Sequence, residues 1–148
     1  MKIKLLCRKE MRQKIIEAIQ NQDVQFDDDG EFVLYEVNHQ LNYLMVKDAS
    51  EYIRIAVTDI IYIESVSQEI LVHTRYGLYK SKDTMAQLEA HLYEKGFLRI
   101  HKAFIVNTAD IKRIKTSLNS KFTLLLSNGD QVEVSRSYYY RFKEEMGF

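Results

Sequence analysis

From Tyr43 to Ser135 this chain strings together short runs of β-branched and aromatic residues separated by turn signals, and one segment in that span carries a helical period. Tyr43–Val46 and Tyr52–Ala56 flank Lys47-Asp48-Ala49-Ser50-Glu51, and Ile60–Glu64 is strongly β-forming. Ile70–Thr74 and Leu78–Lys80 flank Tyr76-Gly77, while Phe122–Leu126 and Gln131–Ser135 flank Asn128-Gly129. Asn-Gly is the strongest of these hairpin cues, because both residues tolerate positive φ. Val132 and Val134 alternate with Gln131, Glu133 and Ser135, so one face of that strand is buried and the other wet. The helical exception follows Thr84, which makes a capping box with Gln87; Met85, Leu88 and Leu92 form its apolar stripe and Gly96 suits its stop.

Residues 1–40 read differently, as a small α/β segment ahead of the strand-rich 41–148. Ile3–Cys7 is a strand-length run, and Lys9–Gln20 carries Met11, Ile15, Ala18 and Ile19 on one helical face. Asn21–Gly30 is a polar, acidic connection, Glu31–Val37 a second strand, and Asn38-His39-Gln40 a turn. A short C-terminal helix starts near Ser137, with Tyr140, Phe142 and Met146 as its packing residues. The first segment could dimerise through Met11, Ile15 and Ile19, cover a sheet edge, or bind a regulator.

With 148 residues, 46% of them hydrophobic, the chain can bury a core without disulfides or metal. The one cysteine, Cys7, excludes an intrachain disulfide and a multi-cysteine zinc site. Met1 opens onto a strand-length run and not a secretory apolar region, so a cytoplasmic location is expected. The net charge of zero offers no general support for nucleic-acid binding, yet it hides an asymmetry. From Lys95 to Phe148 ten basic residues face five acids, and between Lys14 and Lys47 there is no Lys or Arg at all. A basic C-terminal third could serve a polyanion, or be ordinary solvated surface.

Enzyme motifs are missing: no dinucleotide or Walker A glycine loop, no HExxH, no GxSxG. The chain is therefore expected not to be an enzyme and to carry no cofactor or small-molecule substrate. His39, His73, His91 and His101 lack metal-ligand spacing, and Asp27-Asp28-Asp29-Gly30 reads as a solvated turn without the alternate acids of a calcium loop, so no metal is expected. Cys7 sits in an expected buried strand and is not read as a nucleophile.

Three places carry recognition chemistry. In Phe97–Asn107 the apolar Leu98, Ile100, Phe104 and Val106 can face a core, which gathers Arg99, His101 and Lys102 at one strand end. Arg and Lys contact guanine edges and phosphates, and His101 can donate to a phosphate; solvated cations on a turn are the alternative. Ser135-Arg136-Ser137 suits a phosphate-plus-base contact, or helix capping by Ser137. In Ser65-Val66-Ser67-Gln68-Glu69, Gln68 could read an adenine edge or be an ordinary loop residue.

Together these segments resemble the LytTR DNA-binding domain. Ile60-Ile61-Tyr62-Ile63-Glu64-Ser65 is similar to its opening strand. Phe97-Leu98-Arg99-Ile100-His101-Lys102-Ala103-Phe104-Ile105-Val106-Asn107 is similar to its F-x-R-x-H-R-S-x-I-V-N motif, and Leu124–Arg136 to its closing hairpin. The match runs from about Tyr43 to Phe148. It implies a mainly β, elongated domain of stacked antiparallel sheets with one short helix, and a bacterial transcription regulator that binds double-stranded DNA, commonly at paired direct repeats, through loops in successive major grooves. Positions matching family contact residues are the loop Gln68, Glu69 and Ile70, then Lys102, then Arg136; Arg99, His101 and Ser135 match motif positions near phosphates. Lys102 stands where Arg is usual and lacks its fork, and Ala103 replaces a serine hydroxyl, so a binding-site sequence does not carry over directly.

A receiver domain needs a full domain's length ahead of the match, so the chain resembles the stand-alone members, without control by phosphoryl transfer. A homodimer and a membrane-protein regulator are partners the resemblance allows. The competing expectation is a protein-interaction module on the same fold, an anti-regulator or scaffold that does not bind DNA.

Overall fold

The computed structural model describes residues 1–37 and 40–148, and among these described residues the chain forms thirteen strands and three α-helices. At the N-terminus β1 (Lys2–Leu6) leads into α1 (Lys9–Ala18), then β2 (Gln25–Phe26) and β3 (Phe32–Tyr35). The α1 crossover lets β1 lie parallel to both β2 and β3, between them. Gly30 makes the turn into β3 fit, since a Cβ there would stand 2.3 Å from the Lys4 amide nitrogen.

Several expectations for this segment are corrected. A strand, β2, forms inside the stretch read as a polar connection, because Phe26 has β1 to pair with. Helix α1 ends at Ala18, and its half-buried residues are Met11, Ile15 and Ile16, while Ala18 and Ile19 are exposed. β3 stops at Tyr35 instead of Val37. The expected turn falls partly on residues 38–39, outside those described. Gln40 is described: its side-chain amide donates to the Ala90 carbonyl at 2.7 Å and its Oε1 accepts from the Glu94 amide at 2.9 Å. Cys7 follows β1 and is half-buried, and burial raises its thiol pKa above the ordinary value.

The expected hairpins between Tyr43 and Lys80 join one seven-stranded antiparallel sheet. β4 (Tyr43–Asp48) pairs β5 (Glu51–Ala56), and β6 (Ile60–Val66), β7 (Glu69–Thr74) and β8 (Leu78–Ser81) follow as a meander. Helix α2 (Met85–Leu92), with the expected Thr84–Gln87 capping box, leads to β9 (Phe97–His101) and β10 (Phe104–Asn107), which add at the β6 edge. Gly96 takes the left-handed conformation, φ 87°, that ends the helical stretch. Leu88 and Leu92 of α2 pack with Leu44, Val46, Ile60, Ile63, Val72 and Ile105 in a first core.

A smaller antiparallel sheet covers part of the opposite face. It contains β11 (Ile111–Thr116), β12 (Phe122–Leu126) and β13 (Gln131–Val134), and α3 (Tyr139–Met146) closes it. β11 was not expected: Lys112, Arg113 and Lys115 break its apolar pattern, and it lies at a sheet edge, where such charge is tolerated. The Asn128-Gly129 turn forms, but only Gly129 takes positive φ, and Leu126 pairs back to Asp130 across a three-residue loop. Ser137 lies in a 3-10 turn and does not cap α3, whose N-cap position is Tyr138. Phe142 is buried as expected and Tyr140 is exposed; Tyr139 stacks on Phe122 instead, with ring centroids 4.5 Å apart.

The two cores share β6. A β-bulge in its pairing with β7 sets Ile61 and Tyr62 together on the second core, with Leu98, Ile100, Val106, Phe122, Leu124 and Phe142, while Ile60 and Ile63 point into the first. The Tyr62 hydroxyl donates to Asp130 at 2.9 Å; burial and that carboxylate both push its pKa upward. The expected mainly β fold of stacked antiparallel sheets therefore forms behind a small α/β segment.

Phe122 touches Tyr139, Phe142 and Phe148 and is fully buried, so Phe122→Ala is expected to cost about 3–5 kcal/mol, read as a lowered urea midpoint.

Candidate nucleic-acid interface

Antiparallel register brings three separated turns to one end of the large sheet. β6 and β7 turn through Ser67 and Gln68, and β9 and β10 through Lys102 and Ala103. Phe104 pairs with Glu64, which puts the second turn beside the outgoing end of β6, where the Ser65 N–H donates to the Ala103 carbonyl at 2.9 Å. The third turn is the exit of β13. A bulge in β9 leaves Ile100 without a partner on β10, and its carbonyl accepts from the Ser135 N–H at 2.9 Å. Two backbone hydrogen bonds thus tie the Gln68, Lys102 and Arg136 turns into one surface.

The residues read from the sequence occupy this end in two ways. Gln68, Lys102 and Arg136 are exposed. Ser67 and Gln68 have φ of 48° and 69°, so the hairpin tip is left-handed at both positions although neither is glycine. His101 is half-buried against Phe104, and its Nδ1 accepts from the Ala103 N–H at 2.9 Å. In the neutral ring this puts the remaining proton on Nε2, free to donate. Ser135 is half-buried, with its Oγ 3.3 Å from that of Ser137.

The other members face inward or sideways. The Arg99 guanidinium is mostly buried: Nη2 donates to the Lys102 carbonyl at 2.7 Å, Nε to the His101 carbonyl at 3.4 Å, and Nη1 to Glu89 at 3.4 Å. Ile70 packs against the first core. The Glu69 carboxylate is held by Lys80 at 2.9 Å.

Four lysines the sequence reading passed over lie at the same end. Lys80 and Lys82 flank Ser81, which pairs with Ile70 beside the first hairpin, and Lys82 lies over the Tyr52 ring at 4.7 Å. Thr116 pairs with Phe122 and Phe122 with Val134, so Lys115 and Lys121 stand at the margin of the Ser135 exit. Recognising β11 as a strand would have placed the last two. Among the described residues no group of His, Cys, Asp and Glu converges as a metal site, and no helix is long and apolar enough to cross a membrane.

Comparison with known proteins shows what the fold is similar to. The model of the LytTr DNA-binding domain matches residues 50–147. The sensory transduction protein LytT of Bacillus cereus is 30% identical over 103 residues, covering 70% of this chain and 42% of that relative. LytT of Bacillus subtilis is 36% identical over 80 residues, 54% of this chain and 33% of its own length. The transcriptional regulatory protein LytR of Staphylococcus aureus is 32% identical over 76 residues, 51% of this chain and 31% of its own length. The matches thus span less than half the length of each relative. A solved LytTr DNA-binding domain from Bacillus cereus aligns with a TM-score of 0.70 at 29% identity, over 73% of this chain and 99% of that one.

Left-handed backbone costs a non-glycine residue about 1–2 kcal/mol, and glycine's greater chain entropy takes back about 0.5–1 of that. Gln68→Gly is therefore expected to stabilise the chain by about 0.5–1 kcal/mol, a shift visible as a higher midpoint in thermal unfolding.

Proposed function

The chain belongs to the LytTR DNA-binding domain family, and from that membership we propose that it is a transcription regulator whose three joined turns enter successive major grooves of a DNA duplex. The observation that carries the reading is the fixed grouping of exposed Gln68, Lys102 and Arg136 at one end of the sheet, tied by the Ser65–Ala103 and Ser135–Ile100 hydrogen bonds. Arg136 and Gln68 have the donors that read guanine and adenine edges, while Lys102 brings a point charge suited to a guanine edge or a phosphate. His101 Nε2 and the Ser135 hydroxyl suit phosphates, and Lys82, Lys115 and Lys121 extend the positive charge on both sides, Lys80 being paired with Glu69. Arg99 and Ile70 then serve recognition by holding turns, and Glu69 by holding Lys80. The chemistry proposed is binding alone, with no catalysed step.

On this reading residues 41–148 form the DNA-binding domain, and residues 1–40 a dimerisation or regulatory segment. Two copies would fill paired direct repeats, and a membrane protein that restrains the regulator would act through the N-terminal segment. A cytoplasmic location belongs to the same reading, since the DNA it would bind lies there.

The test is fluorescence anisotropy with duplex from around the chain's own gene against scrambled duplex, at two salt concentrations. Specific binding that weakens steeply with salt is expected, by a slope of about 0.9 per phosphate neutralised. Arg136→Ala is expected to cost about 1–3 kcal/mol on the specific duplex and to relax base preference at one position. Lys102→Ala is expected to weaken specific binding and reduce the salt slope. Wild-type behaviour of both variants on both duplexes would overturn the reading. Equal, weak wild-type binding to the two duplexes would favour a protein-interaction module instead.

A further inference from the structure

We propose that Glu89 is a positioning residue for the Lys102–Ala103 turn, and that Lys4, reaching Glu89 from the N-terminal segment, makes that segment part of the same device. The inference deepens the reading above and rests on that turn meeting DNA.

Glu89 lies on α2 among inward-facing Met85, Leu88, Ala90 and Leu92, and is only 7% exposed. A carboxylate at such a depth is costly unless cations take it. Two do. Lys4 of β1, itself 3% exposed, pairs with Oε2, and Arg99 of β9 approaches Oε1 at 3.4 Å. The face of Tyr138, two residues beyond Arg136, lies 5.9 Å from the Lys4 ammonium. One buried carboxylate therefore sits between a cation from the N-terminal segment and a cation from the interface strand.

Arg99 converts that anchor into backbone geometry. With Nη1 toward Glu89, the planar guanidinium aims Nη2 at the Lys102 carbonyl and Nε at the His101 carbonyl. Holding those carbonyls inward orients the Lys102 side chain and the Ala103 N–H that His101 receives. A lysine at position 99 could pair with Glu89 but has no fork for the turn. Stability is a weak reason for such a triad, because apolar replacement of buried ion pairs is often neutral; geometric specificity is the stronger one. The N-terminal segment is tied to the same region a second time, where Arg141 donates to the Gly30 carbonyl at 3.4 Å.

The test compares the whole chain with Lys4→Met/Glu89→Gln, which removes a buried cation and a buried anion together at similar volume, and with Arg99→Lys, which keeps the charges and loses the fork. Hydrogen exchange of the Ala103 amide reads the turn directly, and the ratio of specific to scrambled-duplex affinity reads its consequence. Both variants are expected to melt cooperatively and to exchange Ala103 faster. Their specificity ratio is expected to fall about tenfold while scrambled-duplex affinity holds, since Lys102 and Arg136 remain. Unchanged Ala103 exchange and an unchanged ratio in either folded variant would overturn the role of Glu89 and Arg99. Lys4→Met alone, distant from the turn, is expected to speed Ala103 exchange in the same direction; no change would remove the N-terminal segment from the device. Failure of the DNA reading looks different: Lys102→Ala and Arg136→Ala would then leave binding untouched while Ala103 exchange still responds to position 89.

Discussion

Burial of β6 on both faces is the constraint from which the rest of the molecule follows. Ile60 to Ile63 are all buried, although the strand belongs to an antiparallel sheet, where one wet face is common. Two coverings are therefore required. Helix α2 supplies one with Leu88 and Leu92, and the small sheet with α3 supplies the other with Phe122, Leu124 and Phe142. The bulge that sets Ile61 beside Tyr62 lets neighbouring residues serve the second core without breaking the first. Where the two coverings end, β6 runs on through half-buried Glu64 and Ser65 to exposed Val66. The hairpin tip is thus the projecting end of the most deeply anchored strand.

That anchoring explains how a chain of zero net charge can present a cationic surface. Charge is placed by register and not by composition. Lys102, Arg136, Lys80 and Lys121 are distant in sequence and arrive at one end because β8, β9, β12 and β13 all reach it. Two acids of the N-terminal segment are paired within it: Asp27 lies 3.5 Å from Lys2, and Glu36 2.6 Å from Arg8. A local field, rather than net charge, meets a polyanion at contact distance, because salt screens the remainder within about 10 Å.

The interface also shows how backbone irregularity does chemical work. Regular pairing of β9 with β10 would leave the Ile100 carbonyl to its neighbour strand; the bulge turns it to Ser135 and brings the C-terminal turn to the first two. The left-handed Ser67–Gln68 tip gives a two-residue turn whose twist matches the strands, at a conformational cost glycine would avoid. Both of these features lie where recognition is proposed, while the Asn128-Gly129 turn, away from that end, uses the glycine its geometry favours.

The sequence by itself determined the local vocabulary of this protein: the hairpins, the capped α2, the mainly β class and the family. Alternation, turn residues and capping boxes act over a few residues, so they are legible without a fold. The turns that carry Gln68, Lys102 and Arg136 were legible as motifs for the same reason. β2 and β11 were not, because their strand character comes from a partner strand and not from their own pattern. Nor could one-dimensional reading show that Arg99 turns inward, that Ile70 faces the core, or that Lys4 and Glu89 meet across 85 positions. Tertiary structure alone decided these, since the burial of a charged side chain depends on which partner the fold delivers to it, and that partner is set by strand register and helix packing far from the residue itself.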